Sequence, residues 1–223
     1  MDDGGCARRH GASPVEVFML NPIHLITRAH LSWLNDGGAD ADYLARWRHV
    51  PLSYQRGQPV EGWARHHYLE SLGADADGSR FDCLAEALLR YHFYPRDVMR
   101  HTSDFGIAGR RMQAGDRLVQ RIPVITIFGL PGVDVITMNE IVEVIDAPER
   151  VGFRYITTEA HSEEGEWAVL LERRADEMLW LTMDAVSRPS LREPRLIHPL
   201  MRYMQRRAHR RGIAAFRASC AGA

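Results

Sequence analysis

A chain of 223 residues with 45% hydrophobic and 26% charged residues can bury a sizeable core and has the composition of a folded globular protein. All 28 basic residues are arginine, so chemistry that needs a lysine amine is excluded, including Schiff bases, pyridoxal phosphate anchoring and a phosphate-cradling lysine. A net charge of -1 supplies no global attraction to nucleic acid, and no apolar run approaches the ~20 residues of a membrane span.

The N-terminus, Met1 to Ser13, is polar and Gly-rich and lacks the apolar core of a secretory signal, which points to a cytoplasmic location. Cys6, Cys83 and Cys220 are too few and too scattered for a disulfide framework or a four-ligand zinc site, and they read as free thiols. Residues 1–50 read as an extension, irregular or lightly helical. Ile23 to Leu34 and Asp40 to Arg48 are its short helical candidates, separated by the breaker Asn35-Asp36-Gly37-Gly38.

Residues 51–216 carry the periodic segments, and 217–223 read as a tail. Tyr68 to Leu72 is a candidate first strand. After the turn Asp75-Ala76-Asp77-Gly78-Ser79, the spacing of Phe81, Leu84, Ala85, Leu88 and Leu89 predicts a helix from about Arg80 to Tyr91, ending before Tyr94-Pro95. From Asp116 the period changes. Arg117–Phe128 and Val133–Asp146 flank the hairpin signal Gly129-Leu130-Pro131-Gly132, and Val151–Thr158, Glu166–Arg173 and Met178–Val186 follow with short separators. Parallel neighbours need crossovers of a dozen residues or more, so these five strands predict an antiparallel meander. Strands this long coil, and the concave face must be filled.

The filler is a final helix from about Pro194 to Arg211, with the apolar stripe Ile197, Leu200, Met201, Met204 and Ala208. Its arginines mostly face elsewhere as a solvated face, and Gly212 is a plausible C-cap. The fold class is therefore α+β, a curved antiparallel sheet wrapped on a long C-terminal helix around a cavity of a few hundred Å3.

Several motifs resemble one family: Leu72-Gly73 with Phe81, Ala87-Leu88 and Phe93-Tyr94-Pro95; Val151-Gly152-Phe153-Arg154-Tyr155; His161 through Glu166; Ser187-Arg188-Pro189; and the Arg/Gln-rich helix around Gln205. From Pro51 to about Phe216 the chain resembles the bacterial and plant proteins known as domain of unknown function nineteen-ninety, grouped with START-like helix-grip ligand-binding proteins. The resemblance implies a hydrophobic small-molecule cavity. Two departures stand out. The family's Tyr-Gly-Thr-Leu-Pro-Gly-His run reads Tyr155-Ile156-Thr157-Thr158-Glu159-Ala160-His161 here, and Glu140 stands where the family tends to place an arginine.

The candidate catalytic group is His161 with Glu163 and Glu166, beside Glu164, at a bend between two strands. A histidine near carboxylates can serve as a proton-transfer pair or hold a divalent metal; alternatively, the glutamates are solvated and His161 pins the bend. Without a second ligand cluster, no metal and no cofactor are expected. Tyr91, Phe93 and Tyr94 suit either a cavity mouth or core packing, since they pair apolar faces with polar tips. Arg188 suits an anion on a ligand or a clamp on a sheet glutamate. Glu140, Tyr155, Trp167, Met201 and Met204 complete the candidate ligand contacts.

No Gly-x-Ser-x-Gly elbow, Walker loop or dinucleotide fingerprint is present. The expectation is a binder of a hydrophobic small molecule with acid-base chemistry on a polyketide-type substrate: cyclisation, isomerisation or dehydration. The alternatives are a carrier or sensor without chemistry and a basic-helix interaction module. Neither nucleic acid nor membrane is an expected partner, and the oligomeric state is open.

Overall fold

The structure, a computed structural model, describes residues 30–33, 39–127, 130–190 and 195–220. The segment Met1 to Ser13, with Cys6, and the breaker at 35–38 lie outside them. The strands are β1 (His30–Trp33), β2 (Ala64–Ala74), β3 (Arg100–Ser103), β4 (Arg117–Ile127), β5 (Leu130–Ala147), β6 (Arg150–Thr157), β7 (Glu163–Arg173) and β8 (Met178–Pro189). The helices are α1 (Asp40–Arg46), α2 (Ser79–Leu89), α3 (Asp104–Ile107) and α4 (His198–Ala218).

All strand pairings are antiparallel, in the order β2-β8-β7-β6-β5-β4-β3, so β3 to β8 form a meander and β2 returns to pair with the last strand. Register shifts at Ser71/Gly73, in β4 and at Ile141/Glu143 bend the long strands. The curved sheet packs against α2 and the C-terminal helix α4, which is a helix-grip architecture. Alternation builds the core. Val151, Phe153 and Tyr155 on β6, Trp167, Val169 and Leu171 on β7, and Leu181, Met183 and Ala185 on β8 meet Phe81, Leu84 and Leu88 of α2 and Ile213 and Phe216 of α4. Each such apolar side chain contributes about 1.5–3 kcal/mol on full burial. A second cluster covers the other face, where Tyr43, Leu44 and Trp47 pack on Val119, Ile136 and Met138.

Four sequence expectations are corrected. His30–Trp33, inside the predicted helix Ile23–Leu34, is a strand that pairs with residues 133–136 of β5. Cys83 and Cys220 form a disulfide rather than standing as free thiols; they are 137 positions apart, and only the fold shows that α4 ends beside α2. The apolar stripe of α4 is corrected in part, since Ala208 packs against the core as expected. Leu200 is 48% exposed, Met201 and Met204 are half-buried, and His209, Gly212, Ile213 and Phe216 are the buried residues. Finally, Gly212 is interior to α4 rather than its C-cap, because the rings of Phe93 and Tyr94 occupy the space its side chain would need. The short β3 and α3 carry no period long enough to read.

Candidate functional site

Alternation along β7 sorts the acidic bend. Trp167, Val169 and Leu171 face the core, so Glu163 shares their side while Glu164 and Glu166 take the other. At Gly165, φ is +151° and a Cβ would lie 2.0 Å from the Val186 carbonyl oxygen, so only glycine lets β7 approach β8 this closely.

On the inner side, Gln205 of α4 donates from Nε2 to Glu163 Oε2 at 3.0 Å, and the Arg202 guanidinium lies 3.6 Å from Oε1. Arg202 also donates to the Ser187 hydroxyl and carbonyl at 3.1 and 3.0 Å. The Glu163 side chain is only 12% exposed, and burial pushes its pKa up to about 7, with Arg202 and Ser187 pulling the other way. Among the described residues, its Oε1 accepts no hydrogen bond, and neither polar atom of the buried Asn139 side chain has a hydrogen-bond partner. Beside this cluster, His66 of β2 and His209 of α4 stand edge to face, with ring centroids 5.8 Å apart. Burial lowers both imidazoles, His209 to about 3.

The other sequence candidates divide by face. His161 is buried and lowered by burial to about 4; its Nδ1 accepts the Glu163 backbone N–H at 2.9 Å, a contact within its own bend. Glu166 pairs with Arg154 at 2.8 Å, and Glu164 with Arg188 at 2.7 Å. Arg188 also lies over the Trp63 ring at 4.7 Å. Glu140 pairs with Arg117 at 2.7 Å, where Arg117 also reaches the Trp47 and Val50 carbonyls beside α1. These outer-face pairs meet neither Glu163 nor the cavity side. Tyr155 stacks on Trp167 at 5.3 Å on the inner face, and Phe93 packs between Trp167 and Phe216. These rings close the space beneath the C-terminal half of α4. Met201 and Met204 sit half-buried at its other end.

A pocket of about 570 Å3 lies beside the loop from α2 to β3, lined by residues that include Tyr91, Tyr94, Met99 and His101, with none from α4. Tyr91 ends α2 in a Schellman arrangement: its N–H bonds the Leu88 carbonyl and that of His92 bonds the Ala87 carbonyl. Glycine usually occupies this position; Tyr91 holds it at φ +62°, a conformation that costs about 1–2 kcal/mol for a residue with a Cβ and that fixes the ring between pocket and core. The Tyr91 hydroxyl accepts from Gln120 Nε2, and Gln120 Oε1 accepts from Thr137. The Tyr155 hydroxyl lies within reach of both Tyr91 and Gln120; burial raises its pKa, and Glu163 adds to the shift. A hydrogen-bonded polar run therefore leads inward from the pocket wall at Tyr91 through Gln120 to Thr137, with the Tyr155 hydroxyl beside it. Among the described residues, no three His, Cys, Asp or Glu side chains converge as metal ligands.

The family model described as "Domain of unknown function (DUF1990)" matches residues 47–215. The chain belongs to the DUF1990 family. A UPF0548 protein of Deinococcus radiodurans is 38% identical over 72 residues, which cover 32% of this chain and 36% of that protein. Among solved structures, a hypothetical protein of Helicobacter pylori shares 11% identity at a TM-score of 0.47, over 73% of this chain and 90% of its own. A START superfamily protein of Mycobacterium smegmatis shares 9% identity at a TM-score of 0.42, over 70% and 94%. The Zhui aromatase/cyclase of Streptomyces sp. R1128 shares 15% identity at a TM-score of 0.41, over 70% and 92%.

In this DUF1990 domain, the sequence reading missed Gln120, Arg202, Gln205 and the His66–His209 pair. Arg202 was assigned to the solvated face because the first turns of α4 present polar residues to the sheet. No local pattern announces that. The side of Glu163 was signalled by the apolar residues at 167, 169 and 171.

Proposed function

We propose that the protein binds an apolar small molecule in the pocket beside the α2–β3 loop and moves a proton on it through Glu163. The observation that carries this reading is the hydrogen-bonded run behind the Tyr91 pocket wall, on the same inner face as a buried carboxyl whose pKa burial pushes up to about 7. A carboxyl with a pKa of about 7 can give and take a proton at physiological pH. A gain or loss of a proton next to a substrate carbonyl is the common step of isomerisation, dehydration and aldol-type cyclisation. Arg202 and Gln205 hold the carboxyl in place.

The test begins with protein purified from its producing cells and examined by mass spectrometry for bound small molecules. With that compound as substrate, Glu163→Gln is expected to lose about 100-fold or more in turnover while affinity stays near wild type and melting is not lowered. Undiminished turnover removes Glu163 from the chemistry. The carrier reading is favoured by a specific observation: the His161 and Glu166 side chains do not join that of Glu163, so among the described residues the inner face shows no carboxylate–histidine pair. Recovery of the bound compound unchanged after prolonged incubation would decide for the carrier.

A further inference from the structure

We propose that the pocket beside the α2–β3 loop takes a planar, ring-bearing molecule that carries a single carboxylate, with Arg96 as the group that meets the anion. This rests on the reading of that pocket as the ligand site and adds the chemical class of its occupant.

The walls set the shape. Tyr91 and Tyr94 present rings, His101 stands edge-on to Tyr91 at 5.0 Å, and Met99 adds a polarisable apolar surface. A volume of about 570 Å3 lies within the usual range for small-molecule sites.

The charge of the lining sets the rest. Arg96, Arg100, His92 and His101 face one carboxylate, Asp40. Asp40 is already held by the buried Arg121, whose Nε donates to it at 2.7 Å, and Arg100 is held by Asp134 at 3.1 Å. Arg96 makes no ion pair or hydrogen bond among the described residues. Its cation is therefore the uncompensated charge of the pocket. The surrounding field agrees: burial first, and then the nearby His92 and Arg96, lower the His101 imidazole to about 4, the two cations acting as a positive local potential requires. A guanidinium presents two parallel N–H donors that match a carboxylate, and one free guanidinium balances one negative charge. A dianionic phosphate would leave a charge unmatched.

The experiment titrates the full chain, by calorimetry, with two probes of the same ring system: 2-naphthoate, which carries the carboxylate, and neutral 2-naphthamide. Both are expected to bind, the naphthoate about tenfold more tightly, as suits one charge-assisted hydrogen-bonded pair. Arg96→Gln should reduce naphthoate to the level of the amide. Arg96 is exposed and unpartnered, so amide binding and melting temperature should stay unchanged. Equal affinity for the two probes, or a preference for naphthoate that survives Arg96→Gln, overturns the anion assignment and leaves the apolar-ligand reading standing. Failure of both probes to bind overturns the pocket reading as well.

Discussion

Gly212 shows how one missing Cβ organises the interior. It lies within α4, where alanine would favour the helix by about 1 kcal/mol. Yet a Cβ there would stand 2.6 Å from a Phe93 ring carbon and 2.8 Å from one of Tyr94. Those rings cannot step aside, since Phe93 is held against Trp167 at 5.6 Å and Phe216 at 5.3 Å. Overpacking of this kind costs about 1–3 kcal/mol, so the clash outweighs the propensity. Gly212→Ala should therefore lower the urea midpoint, and a raised midpoint would show that the rings yield. The candidate site was legible to a similar depth. Alternation separates Glu163 from Glu164 and Glu166 in the sequence itself, but its partners Arg202 and Gln205 lie some 40 positions along the chain, where no local period reaches.

At the scale of elements, α4 is held differently at its two ends. Its first turns are tied by polar contacts of Arg202 and Gln205 to Ser187 and Glu163, and its last by Phe216 and the Cys83–Cys220 disulfide. A native disulfide closing so long a loop typically contributes about 2–4 kcal/mol, mostly by restricting the unfolded chain. Reductant should thus lower the urea midpoint of the wild type and leave that of Cys83→Ser unmoved. An unchanged wild-type midpoint would mean that the bond contributes nothing to the fold. The five meander strands and α2 were readable because each repeats its period over eight or more residues. The stripe of α4 was misjudged because Leu200 and Met201 satisfy a helical period while Arg202, Gln205 and His209 take the sheet side. β1 was misread because four residues are too few to show either period.

At the scale of the whole molecule, the buried imidazoles make stability depend on pH with a definite sign. An unfolded histidine titrates near 6.5, whereas native His161 and His209 are held down to about 4 and about 3 by burial. Between those values the unfolded chain binds protons that the native state refuses, so acidification removes stability from pH 6.5 downward. Glu163 opposes this, because its native pKa of about 7 exceeds its ordinary 4.5, and over that interval the native state holds the extra proton. Two histidines outweigh one carboxyl, and the lowered His66 and His101 add to their side. The urea midpoint should therefore peak near pH 6.5 and fall toward pH 4.5. His209→Leu keeps a similar volume between the Tyr68 and His66 rings and removes one titrating group. Its acid limb should be shallower by up to about 1.4 kcal/mol per pH unit, the slope of one proton. Glu163→Gln removes the opposing group, so its limb should steepen by a similar amount while its stability above pH 7 rises. If both variants follow the wild-type curve, the acid sensitivity lies in other groups and the imidazole between β2 and α4 is not the source.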